Sequence, residues 1–454
     1  MTTVIALGVL IVAMVTGIPI PLSFLASAAF ICLVGGYNPL MLFTYGFNNQ
    51  NSIILLTIPL FILAGAIIDK GGIGEKLISG LQRKGKEASP NGLGVTTIVA
   101  CAIFGAVSGS AAATCSCIGS IMTPRLKKAG YKAGHIGALI SSSGVLGIMI
   151  PPSILMILYA WGTGTSVLAC FLSTIFPGIM LIVLFSLVNA WMLKHDKMYK
   201  DNNPASAASE QALQNMIAEG QRKDAEKAIR TASPNQKSKS ALPAVLMPIL
   251  LLGSIYGGIL TTTEGAALTV VYSLLVGIFY YRTIDWPTFK ISMRQAGEAA
   301  GTIMVMLFTV SIISRLYVTE NLPDLILGFL TSVSDNRIVI LLMVNVFMII
   351  IGMLMDDCSG TVLLGPILLP VMLALGVTPI QFAAILSVNL GMGNITPPTA
   401  PLLYLGGRVA NAEVKDMLGP VFKLIFFAWI PTLILTTYFA GFSLFIPNLL
   451  GYVR

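Results

Sequence analysis

Two clusters of small oxygen-bearing side chains lie beside two Pro-Pro pairs. Ser108, Ser110, Thr114, Ser116, Ser141, Ser142, Ser143 and Ser153 accompany Pro151-Pro152. Ser359, Thr361, Ser387, Asn389, Asn394, Thr396 and Thr399 accompany Pro397-Pro398. Hydroxyls, amides and free carbonyls are ligands for a hard cation, and they hold it without a fixed buried charge. For any single Ser or Thr the alternative is close helix packing, which small residues permit in a membrane. The prolines bear on this choice. In a helix interior each removes a donor and clashes with the preceding turn, at about 3 kcal/mol or more. "SSSGVLGIMIPPSILMILY" (141–159) is apolar enough to cross a bilayer and carries its break inside.

The elements around these clusters are membrane helices. Of 454 residues, 56% are hydrophobic and 10% charged, and the mean hydropathy is +0.86. Soluble domains carry about 25% charged residues. Apolar runs of helical spanning length imply helices, not a barrel. The N-terminal apolar stretch has no basic flank, so no cleavable signal is expected. Of the 27 Lys and Arg, 24 fall in one alternate set of connections, leaving Arg315, Arg337 and Arg454 opposite. The positive-inside rule makes the basic set cytoplasmic and both termini external. A nucleic-acid surface is excluded because the basic residues flank spans.

A single offset links the two clusters. Adding 246 carries Pro151 to Pro397, Gly119 to Gly365, Pro124 to Pro370, Gly130 to Gly376, Ser141 to Ser387, Gly147 to Gly393 and Ser153 to Thr399. With a small gap "GIGEKLISGL" (72–81) also matches "NLPDLILGFL" (321–330). This is a two-fold internal repeat. Segment 92–124 has basic residues at both ends and reads as a hairpin entering from the cytoplasm, its tip near 108–114. Its copy at 338–370 has no basic flank and reads as entering from outside. An inverted repeat of two re-entrant hairpins and two Pro-Pro-broken helices is an architecture of secondary transporters. There, broken backbone lines a cavity, and carbonyls and helix N-termini become ligands.

The expected division is 1–91 scaffold helices, 92–161 first core repeat, 167–193 scaffold helix and 194–240 cytoplasmic linker. Then come 241–336 scaffold helices with an amphipathic interfacial arm at 285–298, 337–406 second core repeat, and 419–447 C-terminal scaffold helix. Segment 194–240 is alternatively a regulatory or docking segment, with "QALQNMIAEGQRKDAEKAI" as a surface helix. The external connection 37–52 carries no Lys or Arg.

Few charges enter the spans, where each costs about 2.5–3.5 kcal/mol at midplane. Asp356 and Asp357 either cap the second hairpin arm or set the field for a cation. Glu264 reads either as a helix cap after Thr261–Thr263 or as a substrate ligand, the cap being favoured. Arg315 is either an interfacial anchor or an attraction for an anion. His135 and His195 lie at span ends without a catalytic partner in sequence. Cys32, Cys101, Cys115, Cys117, Cys170 and Cys358 read as buried apolar residues, with no metal or disulfide spacing. No nucleophile motif, phosphate loop or ATP motif is present, so no enzyme and no cofactor is expected.

The runs "SGSAAATCSCIGSIMTPRLKKAGY" (108–131), "GVLGIMIPPSILMILYAWGTGTSVLACFLSTIFPGIM" (144–180), "TTTEGAALTVVYSLLVG" (261–277), "GMLMDDCSGTVLLGPILLP" (352–370) and "GMGNITPPTAPLLYL" (391–405) resemble the large membrane subunit (M subunit, DctM-like permease) of TRAP, tripartite ATP-independent periplasmic, transporters. The resemblance implies an all-α polytopic protein of the bacterial inner membrane, working by an elevator-type movement. It implies Na⁺-driven uptake of an organic acid, such as sialic acid or a C4-dicarboxylate. It also implies two partners, a small four-helix membrane subunit (Q type) and a periplasmic substrate-binding protein (P type). Carried over by motif, a first Na⁺ site uses Ser108, Gly147, Ile150 and Pro152, and a second uses Gly352, Gly393 and Thr396. Substrate falls to Ser110, Thr114, Ser153, Ser359, Thr361 and Thr399, with Asp356, Pro151, Pro397 and Pro398 in support. The Cys-rich first tip and the long linker depart from the expected pattern. Rival readings are a one-component Na⁺- or H⁺-coupled carboxylate symporter and a passive anion channel.

Overall fold

The computed structural model describes residues 2–81, 89–195 and 240–452, so most of the expected linker lies outside the described residues. All regular elements among the described residues are helical. Among the described residues eight helices are long and apolar enough to cross a membrane, or nine if the bent pair Ala133–Met149 and Ile154–Thr163 is one span. Large apolar side chains such as Val12, Phe47 and Phe329 are exposed on the outer faces, as lipid-facing positions require.

The two copies have matching element ends. The first hairpin has arms Pro90–Ser108 and Ala111–Lys128, and the second has arms Arg337–Leu354 and Asp357–Ala374. The broken helices run Ala133–Gly144, Leu146–Met149 and Ile154–Thr163 in one copy, and Pro379–Gly393 and Pro401–Ala410 in the other. Local chemistry explains the turns. Ser110 and Asp356, 246 apart, are both N-caps: Ser110 accepts from Ala113 N at 3.4 Å, and Asp356 accepts from Cys358 N and Ser359 N at 3.1 and 3.3 Å. Such caps satisfy helix-end donors that are otherwise orphaned. Both Pro-Pro bonds are cis, and the first break bends its helix by 44°.

The copies interlock. The half-helix Ile154–Thr163 packs on the second hairpin's arm Asp357–Ala374, and Pro401–Ala410 packs on the first hairpin's arm Ala111–Lys128. Helix Val167–His195 packs on Pro90–Ser108 and Pro379–Gly393, and the C-terminal segments Val414–Leu424 and Ile430–Tyr438 pack on Ala133–Gly144 and Pro379–Gly393. Buried polar contacts fix both. His135 Nε2 lies 3.0 Å from Asn189 Oδ1, and Asn189 donates to Tyr131 Oη and Asn91 Oδ1. At the equivalent position, Gln381 donates to the Thr436 and Thr437 carbonyls at 3.3 and 3.1 Å. Segments 167–193 and 419–447, expected as scaffold, are thus tied to the core repeats.

The remaining helices form a second group. Trp286–Thr319 packs on Ile20–Gly35, Pro39–Gln50 and Thr57–Lys70. The amphipathic stretch 285–298 and the following span form this one helix of 34 residues. Asp285 caps it through Thr288 N at 2.9 Å, and Arg294 pairs with Glu298 at 2.7 Å across one turn. At 1.5 Å per residue it is about 50 Å long, well beyond a hydrocarbon core of about 30 Å. The connection 37–52 contains the helix Pro39–Gln50, capped by Asn38. Thr261 and Glu264 form a reciprocal capping box, the role read for Glu264.

Candidate ion and substrate site

At the first hairpin tip three neutral oxygens converge. Ser108 Oγ lies 3.1 Å from Thr114 Oγ1, which donates to the Ser110 carbonyl at 2.7 Å. The broken helix presses against them. A Cβ on Gly147 would stand 2.5 Å from Thr114 Oγ1 and 2.6 Å from Ser110 O, so only glycine admits the contact. Gly109 closes the turn in the left-handed region (φ 62°), and its carbonyl accepts from Ile154 N at 3.3 Å, pinning the tip to the break. Pro151, Pro152 and Ser153 are buried and Ile150 is half-buried. The hydroxyls of Ser142, Ser143 and Ser153 are buried without a hydrogen-bond partner. Buried polar atoms are normally satisfied, and an orphan calls for an explanation such as an ion or water.

The second tip is built alike but carries charge. The backbones of Gly352 and Gly393 meet closely: a Cβ on Gly393 would stand 2.7 Å from Gly352 Cα and 2.8 Å from Ile349 O. Asp356 is exposed and caps its arm, also accepting from Ser359 Oγ. Asp357 accepts from Asn394 Nδ2, while Asn394 Oδ1 is buried without a partner. Thr396 donates to the Met392 carbonyl at 2.6 Å, and Thr361 to the Asp357 carbonyl at 2.7 Å. The breaks differ in exposure: Pro397 is half-buried, and Pro398 and Thr399 are exposed.

Between the two tips lies a cavity of about 300 Å³. Its walls are Ser108–Ala111 from the first tip, Ile154 and Leu155 from the break, Asp357 and Cys358 from the second tip, and Asp69 and Gln295 from the second helix group. Among the residues expected at the substrate, Ser110 lines this cavity, as does Ser108 of the first ion set. Thr114, Ser153, Ser359 and Thr361 are buried and do not line it, and Thr399 is exposed and does not line it either. Sequence reasoning missed Asp69 and Gln295 as wall residues; Asp69 carries a signal, as a charge ending an apolar run. Among the described residues no group of His, Cys, Asp and Glu is placed to hold a transition metal.

Fold and site together define a polytopic helical membrane protein organised on two hairpins and two broken helices. The Alcanivorax borkumensis YdaH transporter, known from a crystal structure, has the same fold, with a TM-score of 0.60 at 13% identity over 89% of each chain. Residues 7–442 match the family model "Tripartite ATP-independent periplasmic transporter, DctM component", and the chain belongs to that family, the large permeases of TRAP transporters. It is 30% identical over 433 residues to the isethionate TRAP transporter permease protein DctMQ of Oleidesulfovibrio alaskensis, covering 95% of this chain and 64% of that one. It is 29% identical over 409 residues to the C4-dicarboxylate large permease DctM of Pseudomonas aeruginosa, covering 89% and 88%. Membership fits secondary uptake of organic acids by a multi-pass inner-membrane permease, rather than enzymatic chemistry.

Proposed function

We propose that this permease couples inward Na⁺ movement to uptake of an organic carboxylate. The first tip carries the proposal: Ser108 Oγ, Thr114 Oγ1 and the Ser110 carbonyl gather against Gly147, beside buried hydroxyls with no partner. A neutral oxygen set of this kind suits Na⁺. In the first ion site Ser108 offers its hydroxyl, and Gly147, Ile150 and Pro152 offer carbonyls freed by the break. In the second, Gly352, Gly393 and Thr396 do the same. The carboxylate sits between the tips, drawn by the N-terminus of helix Ala111–Lys128 at Ser110. Ion binding orders the breaks and thereby completes the carboxylate site.

The moving body is the interlocked core, with Val167–His195 and the C-terminal helices that its polar contacts hold. It moves as an elevator against the helices of 2–81 and 242–333. At about 100 mV each inward Na⁺ gains roughly 2.3 kcal/mol, and a tenfold gradient adds about 1.4. Two ions supply about 7 kcal/mol, less whatever an inward anion costs. Family membership supports two partners, a small four-helix membrane subunit and a periplasmic binding protein that delivers the acid, with sialic acid and C4-dicarboxylates as the classes to test first. Reconstitution with and without these partners is the test. Na⁺-gradient-driven accumulation that needs both is expected. Accumulation by the permease alone marks a one-component symporter, and equilibration without accumulation marks a channel.

A further inference from the structure

Among the described residues the cavity between the tips has two carboxylates in its wall, Asp69 and Asp357, and no Lys, Arg or His. Asp69 is answered by Lys70 at 3.3 Å. Asp357 is answered by the neutral amide of Asn394. That amide leaves its own Oδ1 buried, at 3% residue exposure, with no donor. The second tip therefore presents the Asp357 carboxylate, an acceptor, to the cavity, whereas the first tip presents the Ser110 cap and a helix N-terminus that suit an anion. A cargo lying between them meets opposite chemistry at its two ends.

We propose that Asp357 reads a hydrogen-bond-donating group on the carried acid, so that the cargo is a monocarboxylate bearing hydroxyl or ammonium donors rather than an unsubstituted dicarboxylate. This rests on the carboxylate-carrier reading above. A second carboxylate of a dicarboxylate would face Asp357 with no cationic side chain in the wall to separate them, and like charges at short range discriminate strongly. A hydroxyl or ammonium donates to the Asp357 carboxylate in the wall instead.

Cys358 supplies the readout, because it lines the same cavity next to Asp357. Cys101, Cys115, Cys117 and Cys170 are buried, and Cys32, half-buried, is replaced by Ser. The rate at which a maleimide labels Cys358 is measured on the full chain in sodium buffer. The probes are succinate, 4-hydroxybutyrate and 4-aminobutyrate, which differ at one end, and the larger pair glucarate and gluconate. The hydroxy or amino acid is expected to protect at a concentration at least about tenfold below its matched dicarboxylate. Asp357→Asn keeps the shape and is expected to narrow that gap to about threefold or less. The two C4 donors tell hydroxyl from ammonium. Equal or better protection by the dicarboxylates overturns the inference and leaves the carrier reading standing. So does an unchanged ranking in Asp357→Asn, including one in which only sodium dependence is lost, which assigns Asp357 to the ion. If no probe protects, the carboxylate site falls, and the inference with it.

Discussion

Replacing Gly147 by Ala tests the join between the first tip and the first break. The added Cβ would stand 2.5 Å from Thr114 Oγ1 and 2.6 Å from Ser110 O, against 3.4 Å for ordinary contact. Neither oxygen retreats freely. Thr114 Oγ1 is held by Ser110 O at 2.7 Å and Ser108 Oγ at 3.1 Å, and Ser110 caps the next helix through Ala113 N. Overpacking of this kind costs about 1–3 kcal/mol. The strain moves Gly147, a proposed ligand, and Thr114 Oγ1, the partner of the proposed ligand Ser108 Oγ, so sodium affinity is expected to fall about tenfold or more, equivalent to about 1.4 kcal/mol. Gly253, whose added Cβ would meet nothing within 4 Å, is the control. There Ala is expected to stabilise by about 0.4–1 kcal/mol. Thermal unfolding of the purified permease, with and without sodium, reads stability. Sodium dependence of uptake in the reconstituted complex reads the site. Gly147→Ala with wild-type unfolding and wild-type sodium half-saturation would refute the reasoning, since the tip would then not be packed on the break.

Ser108→Ala removes a hydroxyl without adding bulk; half-saturating sodium in uptake should rise about tenfold while stability in sodium-free buffer changes by less than about 1 kcal/mol. Asp356→Ala strips the cap of the second arm and is expected to cost about 0.5–2 kcal/mol in denaturant unfolding, whereas Asp356→Asn restores most of it. Asn189→Ala leaves His135 and Tyr131 without a buried partner they now share, and is expected to cost about 1–3 kcal/mol in the same assay.

The breaks were legible because proline and glycine act through the backbone. Pro151-Pro152 and Pro397-Pro398 stop helices whatever surrounds them, and the 246-residue offset carries Ser110 onto Asp356 as a second N-cap. Helix Trp286–Thr319 reads as two pieces in sequence because its first turns are amphipathic and the rest is apolar, and hydropathy does not report that the hydrogen-bond ladder continues. The cavity wall was harder to read. Asp69 and Gln295 approach Ser110 and Asp357 only through tertiary packing between the two helix groups. Thr399 matches Ser153 in the offset yet is exposed where Ser153 is buried, because a repeat in sequence does not impose equal cover by neighbouring helices. Likewise His135, without a partner in the linear chain, meets Asn189 from a helix 54 residues on.

Simultaneous flux of radioactive sodium and labelled acid tests the central claim most directly. Proteoliposomes would contain the permease and its small membrane subunit, with the binding protein outside and an imposed inward sodium gradient. Sodium is expected to enter with the acid in fixed proportion, the acid to accumulate above its outside concentration, and both fluxes to fall together in Ser108→Ala. Acid uptake that proceeds at full rate with no accompanying sodium entry would contradict it.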